Sequence, residues 1–140
     1  MIHLVGGFFG VVTIVCLLGL VARPALTQYN QDMRKKGKTL SEGYLRVYRW
    51  LIKNHRMIGI VAVLSVFLHF LLQLLFVSIS LTGALAAALL AVQGGLGLFM
   101  ARQKGEKRQK LAKAHRAVGV LILAGVVLHR IFPYAGIPRG

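Results

Sequence analysis

Residues 57–101, MIGIVAVLSVFLHFLLQLLFVSISLTGALAAALLAVQGGLGLFMA, form a run of 45 residues without a single Asp, Glu, Lys or Arg. A bilayer core takes roughly 20 apolar residues per helical crossing, so this run reads as two crossings. Outward from it, residues 1–22 also lack charged side chains and read as one more. On the other side the uncharged stretch is shorter, residues 117–129, but Arg116 and Arg130 at its ends snorkel toward the headgroups and extend it to a full crossing. The sequence therefore predicts four helices, over about residues 2–22, 55–78, 82–101 and 114–132. The fold class is all-α: one domain, an integral membrane four-helix bundle, up-down-up-down.

The chain has 140 residues, with 18 Lys and Arg against three acids and a formal charge of +15, yet 56% of its residues are hydrophobic. A nucleic-acid-binding domain carries such charge but not such uncharged runs, so nucleic acid is excluded as a partner and the lipid bilayer is implied. The basic residues are concentrated: residues 23–56 hold nine Lys or Arg, residues 102–116 hold seven, and the link around Ser78 to Thr82 holds none. The positive-inside rule puts both basic segments in the cytoplasm and both termini outside, in a multi-pass protein of a prokaryotic cytoplasmic membrane. A secretory signal would place basic residues before its apolar stretch, whereas here they begin at Arg23, so the first helix is expected to remain uncleaved. Cys16, alone in an apolar run, reads as a small buried hydrophobe.

Within the first basic segment, Thr39-Leu40-Ser41-Glu42 has the spacing of a capping box, and Tyr44, Leu45, Tyr48, Leu51 and Ile52 recur at helical intervals among Arg46, Arg49 and Lys53. With Trp50 close by, the segment predicts an amphipathic helix on the membrane surface, held by anionic lipid or offered to a partner.

Two segments repeat each other. Residues 55–69 read HRMIGIVAVLSVFLH and residues 115–129 read HRAVGVLILAGVVLH, and four of the five histidines of the chain stand at their ends. A separation of 14 residues is two heptads, which keeps both histidines of a supercoiled helix on one face, about 21 Å apart along the axis. Parallel second and fourth spans then set His55 level with His115 near the cytoplasmic boundary and His69 level with His129 near the outer one. Two opposed imidazoles supply the axial ligands of a haem iron, and Gly59, Gly119, Ser65 and Gly125, each one turn inward from a histidine, leave room for a flat ligand. Ala62 and Ile122 lie midway as apolar spacers. A zinc or copper site needs three or four ligands around one ion, and a proton relay needs polar steps where this repeat has aliphatics. The sequence thus predicts two haem b groups, one between His55 and His115, the other between His69 and His129.

Gly83 and Gly97 on the third span are also 14 apart, and suit either close helix approach or a haem face. Arg56, Arg116 and Arg130 each follow a predicted ligand and are candidates for pairing with haem propionates, although positive-inside charge alone explains the first two. Arg130 is the more informative, since the outer side otherwise has only Arg139. His3 has no repeat partner and reads as interfacial.

In these features the chain resembles the di-haem four-helix cytochromes b, with ligands on the second and fourth spans at a 14-residue spacing. Gly83 and Gly97 match that family's glycine pair on the third span, and Gly6 with Gly19, 13 apart, match the first-span pair approximately. The His-Arg-x-x-Gly start is similar to the transmembrane domain of ferric reductases. The resemblance covers three of the four spans well and implies an electron-conducting core. It lacks the further helices of the respiratory protein and any dinucleotide fingerprint of the reductases. Electron transfer between two haems across the membrane is the expectation, with redox partner subunits or a flavoprotein at the basic cytoplasmic face. The alternatives are a self-contained small reductase, with a quinone site near Gln73 or Gln93, and a histidine-based metal transporter.

Overall fold

The computed structural model describes residues 2–76 and 80–132, with side chains from Leu4 onward. The expectations at the His3 side chain, at Ser78 and at Arg139 lie outside the described residues. Four helices follow in order: α1 Ile2–Lys35, α2 Glu42–Phe76, α3 Leu81–Ala101 and α4 Gly105–Ile131. All four are long and apolar enough to cross a membrane. Each runs antiparallel to the next, α1 packing chiefly on α2 and α3 on α4, with α2 and α3 joining the two hairpins.

The third predicted span agrees with α3 to within a residue. The others extend further at the basic end, where α1 reaches Lys35 and α2 begins at Glu42. The amphipathic surface helix expected in the first basic segment does not exist as a separate element. Its residues are the opening turns of α2, continuous with the apolar part of the helix. Two causes are visible. No proline interrupts the helix between Glu42 and Phe76, and the aromatic face is taken up by α1: Tyr44 donates from its hydroxyl to the Leu26 carbonyl at 2.9 Å and packs edge-on against Tyr29. The cap also differs from the expected box. Ser41, not Thr39, begins the helix, its carbonyl accepting from the Leu45 amide at 3.1 Å and its Oγ from the Tyr44 amide at 3.4 Å.

The turn between α1 and α2 is set by Gly37, whose φ of +64° suits glycine. The Gly37 amide donates to the Arg34 carbonyl and the Lys38 amide to the Met33 carbonyl, the paired bonds of a Schellman ending. Pro24 lies inside α1 and leaves the Leu20 carbonyl without its helical donor.

The interior is narrow and built in steps of seven residues. Leu17, Ala62, Leu90 and Ile122, one from each helix, are all buried and form the central layer, with Ala62 fully enclosed. Around it the usual distribution is inverted. Gly6, Thr13, Ser65, Ala86 and Gly125 are buried while Leu4, Phe8, Val15, Phe67 and Leu75 stand exposed on the outside. Small residues inside and large apolar residues outside suit helices that pack closely in lipid, where apolar side chains gain nothing by turning inward.

Candidate functional site: two histidine pairs on α2 and α4

One heptad beyond the central layer in each direction stand the histidines. His55 and His115 face each other with ring centroids 6.5 Å apart, and so do His69 and His129. The planes meet at 66° in the first pair and 72° in the second. The 14-residue repeat thus brings together the four residues it singles out, in the pairs expected from it. All four rings are half-buried.

Neighbouring helices hold the His69 and His129 rings from behind. The His69 Nδ1 stands 2.8 Å from the Gly6 carbonyl of α1, which is an acceptor only, so Nδ1 is the donor in this bond. The His129 Nδ1 lies 3.1 Å from the Ser80 Oγ and 3.3 Å from the Thr82 Oγ1. Ser80 is also the N-cap of α3, its Oγ accepting from the Gly83 amide at 3.1 Å. Fixing Nδ1 in this way is how proteins orient imidazoles that bind a metal through Nε2.

Glycines let these rings approach. A Cβ on Gly83 would lie 3.0 Å from the His129 Cε1 and 2.9 Å from the Ser80 Oγ, closer than a side chain tolerates. One on Gly97 would lie 3.5 Å from the His115 Cε1, and one on Gly10 3.5 Å from both the Cε1 and the Nδ1 of His69. Gly83 and Gly97 therefore stand against the imidazoles of α4. On α1 the glycine against a ring is Gly10, while Gly19 meets Leu51 instead. Ser80, Thr82 and Gly10 are residues that sequence reasoning missed, and of these Gly10 was the one with a sequence signal. Its signal was present in the seven-residue step from Gly10 to Leu17, which matches Gly83 to Leu90.

The remaining glycines divide. Gly59 has open space where a side chain would project. A Cβ on Gly119 would lie 3.4 Å from the Gln93 Nε2, and one on Gly125 would lie 3.6 Å from the Ala86 Cβ. Arg56, Arg116 and Arg130 are exposed, and the Arg116 Nε donates to the Ala112 carbonyl of its own helix. Gln73, one turn beyond His69, approaches Gly6.

The pairs can be tested against what an iron porphyrin requires. With metal–imidazole bonds near 2.0 Å, one ion bound by a nitrogen of each ring separates the ring centres by about 6.3 Å. Both pairs stand close to that separation. Edge-to-face aromatic pairs occupy the same range, but they do not require Nδ1 to be tied back, as it is at both rings of the His69–His129 pair. Among the described residues no group of three or more His, Cys, Asp or Glu gathers, so each level offers two nitrogen donors. Two opposed donors suit an ion whose equatorial positions are already filled, as a porphyrin fills them. The residues present fit the group.

Comparison with protein-family models, with curated proteins and with solved structures finds no match.

Proposed function

We propose that this chain conducts electrons across a membrane as a di-haem cytochrome b, with His55 and His115 holding one haem b and His69 and His129 the other. The single observation that carries the reading is the double pairing: two imidazole pairs, 14 residues apart on α2 and α4, each at 6.5 Å. Haem iron held by two imidazoles supplies one-electron chemistry without an open coordination position. The chain's own residues orient and insulate. Gly6, Ser80 and Thr82 fix the rings of His69 and His129 through Nδ1, and the layer of Leu17, Ala62, Leu90 and Ile122 keeps water from the space between the two levels.

In this reading the basic ends face the cytoplasm, both termini lie outside, and the membrane is the cytoplasmic membrane of a prokaryote. The basic face receives an acidic redox subunit or flavoprotein by electrostatic steering. Arg56, Arg116 and Arg130 are placed in sequence to meet propionates. Charge transfer between the two levels is electrogenic, worth about 2.3 kcal/mol per electron for each 100 mV. A chain with this role is the membrane subunit of a larger redox complex rather than a complete enzyme.

The test is the visible spectrum of protein purified from membranes, with haem content per chain. Two haems with sharp reduced α-bands support the proposal. Colourless protein containing zinc ends it in favour of a metal carrier. Replacement His69→Leu removes one haem and retains the other; a variant that still holds both breaks the pairing.

A further inference from the structure

At the basic end of the first hairpin, α1 and α2 enclose a cleft of about 270 Å³. Asn30 and Arg34 line it from α1, four residues apart and so on one helix face. Leu45, Tyr48 and Arg49 line it from α2, again at helical intervals. The Tyr48 ring is stacked on that of Tyr44, with centroids 6.2 Å apart. Asn30 is only 5% exposed, and its Oδ1 has no hydrogen-bond partner among the described residues. Buried polar groups are as a rule satisfied, so an orphaned carboxamide beside a cleft points to a partner that occupies the cleft.

The charge of the cleft is unbalanced. Arg34 and Arg49 are exposed, and among the described residues the ion pair is Lys110 with Glu106 on α4, so neither guanidinium is matched by a carboxylate. The Arg49 Nε donates to the Leu45 carbonyl of its own helix at 3.1 Å, which leaves the two terminal nitrogens to a ligand. Glu42 lies in an adjoining cleft with Arg46 and Arg49, one acid against two bases. Two guanidinium groups on one small space suit the oxygens of a phosphate. Depth points to lipid as its source. Arg49 precedes the uncharged run at residue 57 by eight residues, and Asn30 follows the run ending at residue 22 by eight, about 12 Å along each helix. Arginine side chains reach back from there toward the headgroups. Trp50, next to Arg49 and 57% exposed, suits the aromatic belt of the interface.

We propose that this cleft binds the headgroup of an anionic phospholipid, its phosphate on the guanidinium groups of Arg34 and Arg49 and a headgroup hydroxyl on the Asn30 carboxamide. The hydroxyl follows from the chemistry of Asn30. A phosphodiester only accepts hydrogen bonds and leaves a carboxamide oxygen unpaired, whereas a hydroxyl donates and accepts and so pairs with either end of the amide. An ammonium headgroup also donates, but it sets a third cation beside two arginines. A glycerol headgroup meets both demands. The site is separate from the histidine pairs and does not depend on haem; it requires only that the helices cross a bilayer.

The experiment is native mass spectrometry of the purified chain in detergent, titrated with phosphatidylglycerol, phosphatidylmethanol (a phosphodiester of the same charge without a headgroup hydroxyl) and phosphatidylcholine. Affinity is expected to fall in that order. Arg34→Gln combined with Arg49→Gln lowers phosphatidylglycerol affinity about thirtyfold, toward that for phosphatidylcholine. Lys107→Gln combined with Lys113→Gln, the same charge change on α4, leaves it nearly unchanged. Asn30→Leu removes the preference for phosphatidylglycerol over phosphatidylmethanol, about fivefold in the unsubstituted chain. Where Asn30→Leu does not assemble, that preference in the unsubstituted chain tests the same contact, and its absence overturns the role of Asn30. Equal binding of phosphatidylglycerol and phosphatidylcholine, or unaltered phosphatidylglycerol binding by the arginine variant, overturns the proposal. Displacement of bound lipid by equimolar glycerophosphoglycerol assigns the cleft to a soluble phosphodiester and overturns lipid as its occupant.

Discussion

Glycine 83 shows how a single residue decides whether a ring can sit where it does. Any Cβ there meets both the His129 ring and the cap of α3, and neither can withdraw without losing its own hydrogen bond. Gly83→Leu is therefore expected to displace His129 and to abolish one haem of the two, measured as haem per chain in purified protein. Gly7, whose added Cβ would have nothing within 4 Å, is the matched control, and Gly7→Ala should leave haem content unchanged. At Gly37 the constraint is different in kind. Its positive φ closes the Schellman turn, so Gly37→Ala should destabilise the α1–α2 hairpin by about 1 kcal/mol, visible as lowered resistance of that turn to proteolysis. The histidines and the third-span glycines were legible in the sequence because they repeat at a heptad multiple. Gly10 was legible only through its seven-residue step to Leu17, and Ser80 not at all, since nothing in the chain reveals which cap of a neighbouring helix will back a given ring.

For the helices, what the sequence disclosed was where charge stops, and that is not where helices stop. The apolar runs located all four elements, and α3, capped by Ser80 and ended at Arg102, came out nearly to the residue. At the basic end α1, α2 and α4 continue for several turns, because Lys and Arg are good helix formers and no proline breaks α2 or α4 there. The aromatic stripe Tyr44–Tyr48 was legible as an amphipathic face. Its partner was not, since lipid and a neighbouring helix call for the same pattern; the structure gives it to Leu26 and Tyr29. The central layer carries the packing prediction. Ile122 is 2% exposed and Ala62 0%, so Ile122→Ala leaves a cavity and should destabilise the bundle by about 2–5 kcal/mol in thermal unfolding in detergent. Ala62→Leu overfills the same layer, should cost about 1–3 kcal/mol, and should disturb both haems alike, because it lies one heptad from each level.

As a whole, the molecule has two histidine levels separated by an apolar layer, inside an apolar exterior, with positive charge gathered at one end. Among the described residues the ion pair is Lys110 with Glu106 on the surface of α4, so the basic end is left almost uncompensated. That asymmetry predicts orientation. In a chain whose Cys16 has been replaced by Ala, a cysteine at Lys107 should react with an impermeant maleimide only from the cytoplasmic side, and one at Leu81 only from the opposite side. Reaction of both from one side contradicts the four-crossing arrangement. The central claim is that the two imidazole pairs hold iron porphyrins, and haem content per chain in protein purified from membranes measures it most directly. The account predicts two haems, falling to one in His69→Leu and to one again in His115→Leu. A wild-type chain that folds and carries no haem, or one that keeps both after either substitution, contradicts it.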